Sequence, residues 1–163
     1  MSTIKAIWEF IFHGDNEAPE ATILLRIMAG TVFFWEGLLK FVLANQGVGR
    51  FTKLGFPFPA FTADMVGTIE IVGGLALVLG LLSRFVSLVF VVEMLVAMLS
   101  TKITMYLGTS PLPLPAVPPQ TGLWAVLHEI RSEYAQMVCC MFVLWMGPGA
   151  WSLDKLLQKK KST

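Results

Sequence analysis

Apolar residues run almost unbroken through four stretches of the chain, about residues 20–44, 60–82, 85–105 and 133–147, and the polar residues gather between them. At about 20 residues per crossing the first three suffice for a membrane helix, and the fourth sits near the short limit. The pattern therefore predicts an all-α membrane protein, a four-transmembrane-helix bundle that forms one domain over residues 1–163. Shorter amphipathic pieces flank the runs. Ile4, Ile7, Trp8, Ile11 and Phe12 recur at helical spacing and predict an interfacial helix over residues 2–13, before a polar break from His13 to Glu17. Leu123, Val126, Leu127 and Ile130 predict a second such helix between the third and fourth spans, and Ser152 is placed to cap a third in the tail. Pro19 suits the opening of the first span, and Gly147-Pro148-Gly149 stops the last.

The connections differ in kind. Asn45 to Pro59 carries Gly47, Gly49, Gly55, Pro57 and Pro59 with Phe51, Phe56 and Phe58, so it reads as a structured loop and not as a further span. Residues 106–122 hold Pro111, Pro113, Pro115, Pro118 and Pro119, which favour extended polyproline geometry. Residues 152–163 form a basic tail.

Composition sharpens this picture. Of the 163 residues, 55% are hydrophobic and 14% charged, against about 25% charged in soluble domains, and the mean hydropathy is +0.70. Lipids are the expected surroundings, and nothing in the chain resembles a nucleic-acid-binding motif. With four crossings both ends share one side, which collects Lys5, Arg84, Lys155, Lys159, Lys160 and Lys161. The other side has Arg50, Lys53 and Arg131, with Lys102 near it. That bias places both termini in the cytoplasm and the chain in the cell inner membrane, with the Pro-rich loop outside. The N-terminus lacks a small-residue cleavage motif, so no signal peptide is expected. Cys139 and Cys140 point about 100° apart on a helix, which does not suit a disulfide and fits small core residues.

The candidate chemistry lies in charges placed inside the apolar runs. Glu36 and Lys40 stand one helical turn apart in the first span, in the favourable order. In lipid each charge costs roughly 2.5–3.5 kcal/mol, so such groups face protein or water and need partners. Arg26, Phe33 and Lys40 recur at sevens, Glu70 lies between Gly67 and Gly74, and Glu93 heads a stripe with Ala97, Ser100, Thr101 and Thr104. By the helical rise Glu36 and Lys40 lie about 24 and 30 Å along their span, with Glu70 and Glu93 near the middle of theirs. Arg26, Lys40 and Lys102 stand against Glu36, Glu70, Glu93 and Glu133. The excess acid calls for a proton or for an outer arginine such as Arg131.

Three functions are compatible with these groups. Metal or haem ligation fails, because His13 and His128 belong to opposite surfaces, so no metal and no intrinsic cofactor are expected. A quinone held between helices needs apolar walls and a few polar groups. Phe33, Phe34, Trp35, Phe41 and Phe58 suit the first role, and Glu36, Lys40, Glu70 and Glu93 the second. Alternatively Arg26, Glu36, Lys40, Glu70, Lys102 and Glu133 form a charge network that only fixes helix register, as in a structural or assembly subunit. A proton-coupled transporter would use the midplane acids, although four spans without an inverted repeat leave little room for alternating access.

Several segments together resemble the DoxX family of small four-span membrane proteins. They are Leu25-Arg26 with Gly30, Trp35-Glu36-Gly37-Leu38-Leu39-Lys40, Leu54-Gly55-Phe56-Pro57, Val66-Gly67 through Glu70 to Gly73-Gly74, Gly80 to Arg84, Glu133-Tyr134-Ala135, and Gly147-Pro148-Gly149 with Ser152-Leu153-Asp154. The resemblance implies a subunit associated with thiosulfate:quinone oxidoreductase or with oxidative-stress complexes, acting in a larger membrane complex or a homo-oligomer. It also implies that Arg26, Lys40, Glu70, Arg84, Glu133 and Asp154 occupy positions the family keeps polar. The loop from Ser110 to Gln120 is longer than the usual connection, which suits a docking surface.

Overall fold

A computed structural model of the chain describes residues 3–13 and 18–161, and these contain eight helices and no strand. The polar break at Gly14, Asp15, Asn16 and Glu17 and the last two residues of the basic tail lie outside the described residues. The helices are α1 (Thr3–His13), α2 (Thr22–Val42), α3 (Val48–Lys53), α4 (Pro59–Leu79), α5 (Ser83–Tyr106), α6 (Gly122–Glu129), α7 (Arg131–Met146) and α8 (Leu153–Lys161). Local chemistry sets the ends. Pro59 occupies the first turn of α4, Gly80 at φ 71° ends it, and Gly147 at φ 90° ends α7.

Helices α2, α4, α5 and α7 pack as a closed ring of antiparallel neighbours, with α2 on α4, α4 on α5, α5 on α7 and α7 back on α2. The tightest seam is between α2 and α4. A Cβ on Gly30 would lie 2.6 Å from the Gly74 carbonyl oxygen, one on Gly74 the same distance from that of Gly30, and one on Gly37 2.7 Å from that of Gly67. Only glycine lets two backbones meet this closely at two levels. Behind this seam Phe33 stacks on Phe90 at 3.6 Å, within a core completed by Ala29, Leu77, Val86, Met94, Cys139, Cys140 and Val143.

Unlike those of a soluble bundle, the helices are apolar on their outer faces as well as in the core. The buried face of α2 holds Thr22, Arg26, Ala29, Gly30, Phe33 and Gly37, whereas Leu24, Ile27, Trp35 and Phe41 face outward. Small and polar residues beside a few large apolar ones inside, with further large apolar residues outside, is an arrangement that lipid permits. Three helices, α2, α4 and α5, are long and apolar enough to cross a membrane. The fourth expected span is shorter than its fellows. At 16 residues α7 measures about 24 Å, less than the roughly 30 Å hydrocarbon core.

The ring has two dissimilar ends. One carries α3, α6 and the Pro-rich segment. The other carries α1, α8 and the α4–α5 turn, and there Arg84 of α5 donates from Nη1 to the Phe10 carbonyl at 3.3 Å and lies over the Phe10 ring at 4.4 Å. Ser152 caps α8, its Oγ accepting the Lys155 N–H at 3.2 Å.

Candidate functional site

Three helices bring one ammonium and two carboxyls together inside the ring. Lys40, near the end of α2, donates to Glu70 of α4, with Nζ 2.7 Å from Oε1 and 2.5 Å from Oε2. Both side chains are withdrawn from the surface, at 12% and 4% exposure. Glu93 of α5 is the third member, its carboxyl beside both Glu70 and Lys40. The glycine seam makes this possible, since a Cβ on Gly37 would lie 2.9 Å from the Cβ of Glu70, so the bare backbone of α2 admits that residue of α4.

The set is incompletely satisfied. Oε2 of Glu70 and Oε2 of Glu93 are buried and accept no hydrogen bond, although the former touches the Lys40 ammonium. Two neighbouring carboxyls in a low-dielectric interior do not both ionise at acceptable cost, and a single ammonium balances one of them. The formal charges of the three groups cancel when the acid pair holds one proton.

The other charges go elsewhere. Glu36 faces outward, and Lys40 turns across to Glu70 instead of along its own helix to Glu36. The expected intrahelical pair is therefore replaced by an interhelical one. Trp35 and Phe58, expected as walls of a pocket, are 61% and 80% exposed and do not enclose the cluster. Phe33 is packed into the core against Phe90. Lys102 pairs with Glu133 at 2.7 Å and donates to the Glu129 carbonyl at 3.0 Å, which joins α5 to the α6–α7 corner. The single shared interior expected from the sequence is thus divided into separate groups.

Arg26 belongs to a different group again, a clasp at the end that carries α8. Its guanidinium donates to four carbonyl oxygens, those of Leu77 at 3.1 Å, Val78 at 2.8 Å, Pro148 at 2.7 Å and Trp151 at 2.9 Å. Asp154 completes the clasp, its two oxygens accepting the N–H groups of Leu82 at 2.8 Å and Ser83 at 2.9 Å, which open α5. Its own N–H donates to the Gly80 carbonyl at 2.9 Å. Gly80 is required here, because a Cβ would strike Ser152 and the Arg26 guanidinium at 2.5 and 2.8 Å. Reading the residues alone does not assign this role to Asp154, and the one available signal is its position five residues after Gly149, at the start of a helix. Among the described residues no three His, Cys, Asp or Glu side chains converge closely enough to hold a metal ion.

The comparisons with known proteins agree with this architecture. The family model described as DoxX matches residues 21–103, which include Arg26, Lys40, Glu70 and Glu93. The chain is 35% identical over 159 residues to the uncharacterized membrane protein Rv3486 of Mycobacterium tuberculosis, covering 94% of this chain and 90% of that protein. It is 33% identical over 82 residues to a Bacillus subtilis protein named "Putative oxidoreductase CatD", covering 50% of this chain and 60% of that one. No solved structure matches.

Proposed function

The chain belongs to the DoxX family, and from that premise we propose that it is a redox-associated membrane subunit whose Lys40–Glu70–Glu93 cluster exchanges protons with a bound quinone or with a partner oxidoreductase. The observation that carries this reading is the buried cluster itself, in which Lys40 pairs with Glu70, Glu93 lies beside them, and each carboxyl keeps an oxygen without a hydrogen bond. Quinone reduction consumes two protons with two electrons, and the carboxyl pair passes protons one at a time, regaining each from water before the next transfer. The family relative named as an oxidoreductase points the same way. The electrons come from the partner oxidoreductase, and the quinone accepts them. In this reading α7 completes a fourth crossing, both termini are cytoplasmic, and the protein sits in the inner membrane.

A second reading, a purely structural or assembly subunit, is favoured by the Lys102–Glu133 pair and the Arg26 clasp, which are satisfied and join helices. One experiment separates the two. Full-length protein is purified from membranes in mild detergent, its bound quinone measured by extraction and mass spectrometry, and copurifying proteins identified. Quinone or a redox partner retained by the wild type and lost from the E93Q variant supports the proposal. Protein that carries neither overturns it.

A further inference from the structure

At the α3 end of the ring lies a cleft of about 270 Å³, separate from the Lys40–Glu70–Glu93 cluster and lined by side chains of unusual charge. We propose that this cleft binds a small oxoanion, of carboxylate or phosphoryl type, through Arg50 and Lys53. The inference stands independently of the quinone reading.

Charge balance carries it. Arg50, Lys53 and Lys102 line the cleft against one carboxylate, Glu129. Lys102 is already neutralised by Glu133 and donates to the Glu129 carbonyl. The Glu129 carboxylate lies 3.2 Å from Nδ1 of His128. Arg50 and Lys53 have no acidic partner and no side-chain hydrogen bond among the described residues, so the cleft is left with a positive field and unused donors. A guanidinium offers five N–H groups in a fork that matches a carboxylate or phosphoryl group, and Lys53 adds a mobile ammonium.

Shape sets the size of the ligand. The volume holds on the order of nine waters, room for an oxoanion with a short organic remainder and too little for a lipid tail or a protein segment. The amides of Asn45 and Gln46 extend the donor set, and Met105 offers an apolar wall. These residues come from segments held firmly in place. The chain after α2 folds back so closely that a Cβ on Gly47 would collide with the Lys40 carbonyl oxygen. The far wall comes from α5, where Thr101 hydrogen-bonds back to Ala97 at 2.7 Å.

The oxoanion has two sources, a dissolved solute or a phospholipid headgroup, and the test distinguishes them. Full-length protein in a neutral detergent at low salt is titrated calorimetrically with inorganic phosphate and with succinate. In a parallel arm it is placed in nanodiscs containing phosphatidylglycerol or only phosphatidylcholine, and retained lipid is counted by native mass spectrometry. Saturable binding of phosphate or succinate, weakened about tenfold by R50Q and less by K53Q, supports a solute site. Retention of phosphatidylglycerol that R50Q abolishes supports the same chemistry filled by a headgroup. R131Q removes an exposed cation outside the cleft and leaves binding unchanged. If R50Q fails to insert, K53Q and competition by salt still decide the matter, since Lys53 is exposed. Absence of saturable binding in both arms, or an equal loss in R131Q, overturns the proposal.

Discussion

The Arg26 clasp and the Lys40–Glu70–Glu93 cluster are both buried charges in an apolar bundle, yet they are built on opposite principles. Arg26 meets no carboxylate in direct contact and spends its donors on four main-chain carbonyls, two from the end of α4 and two from the turn after α7. Those carbonyls lie at a helix end and in a turn, and apart from that of Leu77, which also accepts the Gly80 N–H at 3.1 Å, they rely on the guanidinium, so the clasp satisfies the charge and the backbone together. The cluster pairs side chain with side chain and leaves two carboxyl oxygens without hydrogen bonds. A charge satisfied by backbone holds the fold, and a set whose charges balance only with a proton on its acid pair has, in the proposed reading, that proton to exchange.

The largest expected effect follows from the clasp. R26M takes the guanidinium from four carbonyls, of which that of Leu77 keeps the Gly80 N–H, and costs about 3–5 kcal/mol, read as loss of folded protein or a steep drop in unfolding temperature in detergent. No second substitution rescues it, because the acceptors are main-chain atoms that mutation cannot remove. R26K fails as well, since an ammonium carries three donors on one nitrogen and cannot span four acceptors on two separate segments.

The cluster answers differently, and a double-mutant cycle shows it. K40M alone leaves Glu70 as an unpaired buried acid and costs on the order of 3 kcal/mol. K40M combined with E70M removes both charges and returns stability to within about 1 kcal/mol of wild type, measured by the same unfolding assay. A cycle in which the double variant is as unstable as K40M would erase the distinction between the two regions. Recovery of stability without recovery of quinone retention would place the cluster on the side of chemistry.

This contrast also explains what the sequence could convey. The run lengths and the punctuation by Pro19, Gly80 and Gly147 disclose most helix ends, because those residues act locally. Glu70 between glycines reads as buried for the same reason. The partner of Lys40 is another matter. The buried face of α2 is set by Gly30 and Gly37 meeting Gly74 and Gly67. Glu36 stands about 70° around the helix from the centre of that face and Lys40 about 30°. Spacing makes Glu36 and Lys40 look like partners, and only the identity of the opposing helix reveals that one turns in and the other out. The Arg26 clasp was hidden for a stronger reason, since its acceptors are carbonyls, which every residue possesses and no residue type announces.

The smallest expected effect on stability is the most discriminating one. E93Q keeps the volume and planar shape of the side chain, and its amide can donate to the Glu70 carboxylate, which leaves that acid paired with Lys40 as before. Unfolding should therefore shift by about 1 kcal/mol or less, well below the effect of K40M. The amide cannot release a proton at any accessible pH, so the cluster loses the one function that distinguishes it from the clasp. Retained quinone, or redox turnover of a copurifying complex, should fall at least tenfold in a protein that is otherwise as well folded as the wild type. Unchanged retention and turnover in E93Q would make Glu93 a packing residue and the cluster a second clasp.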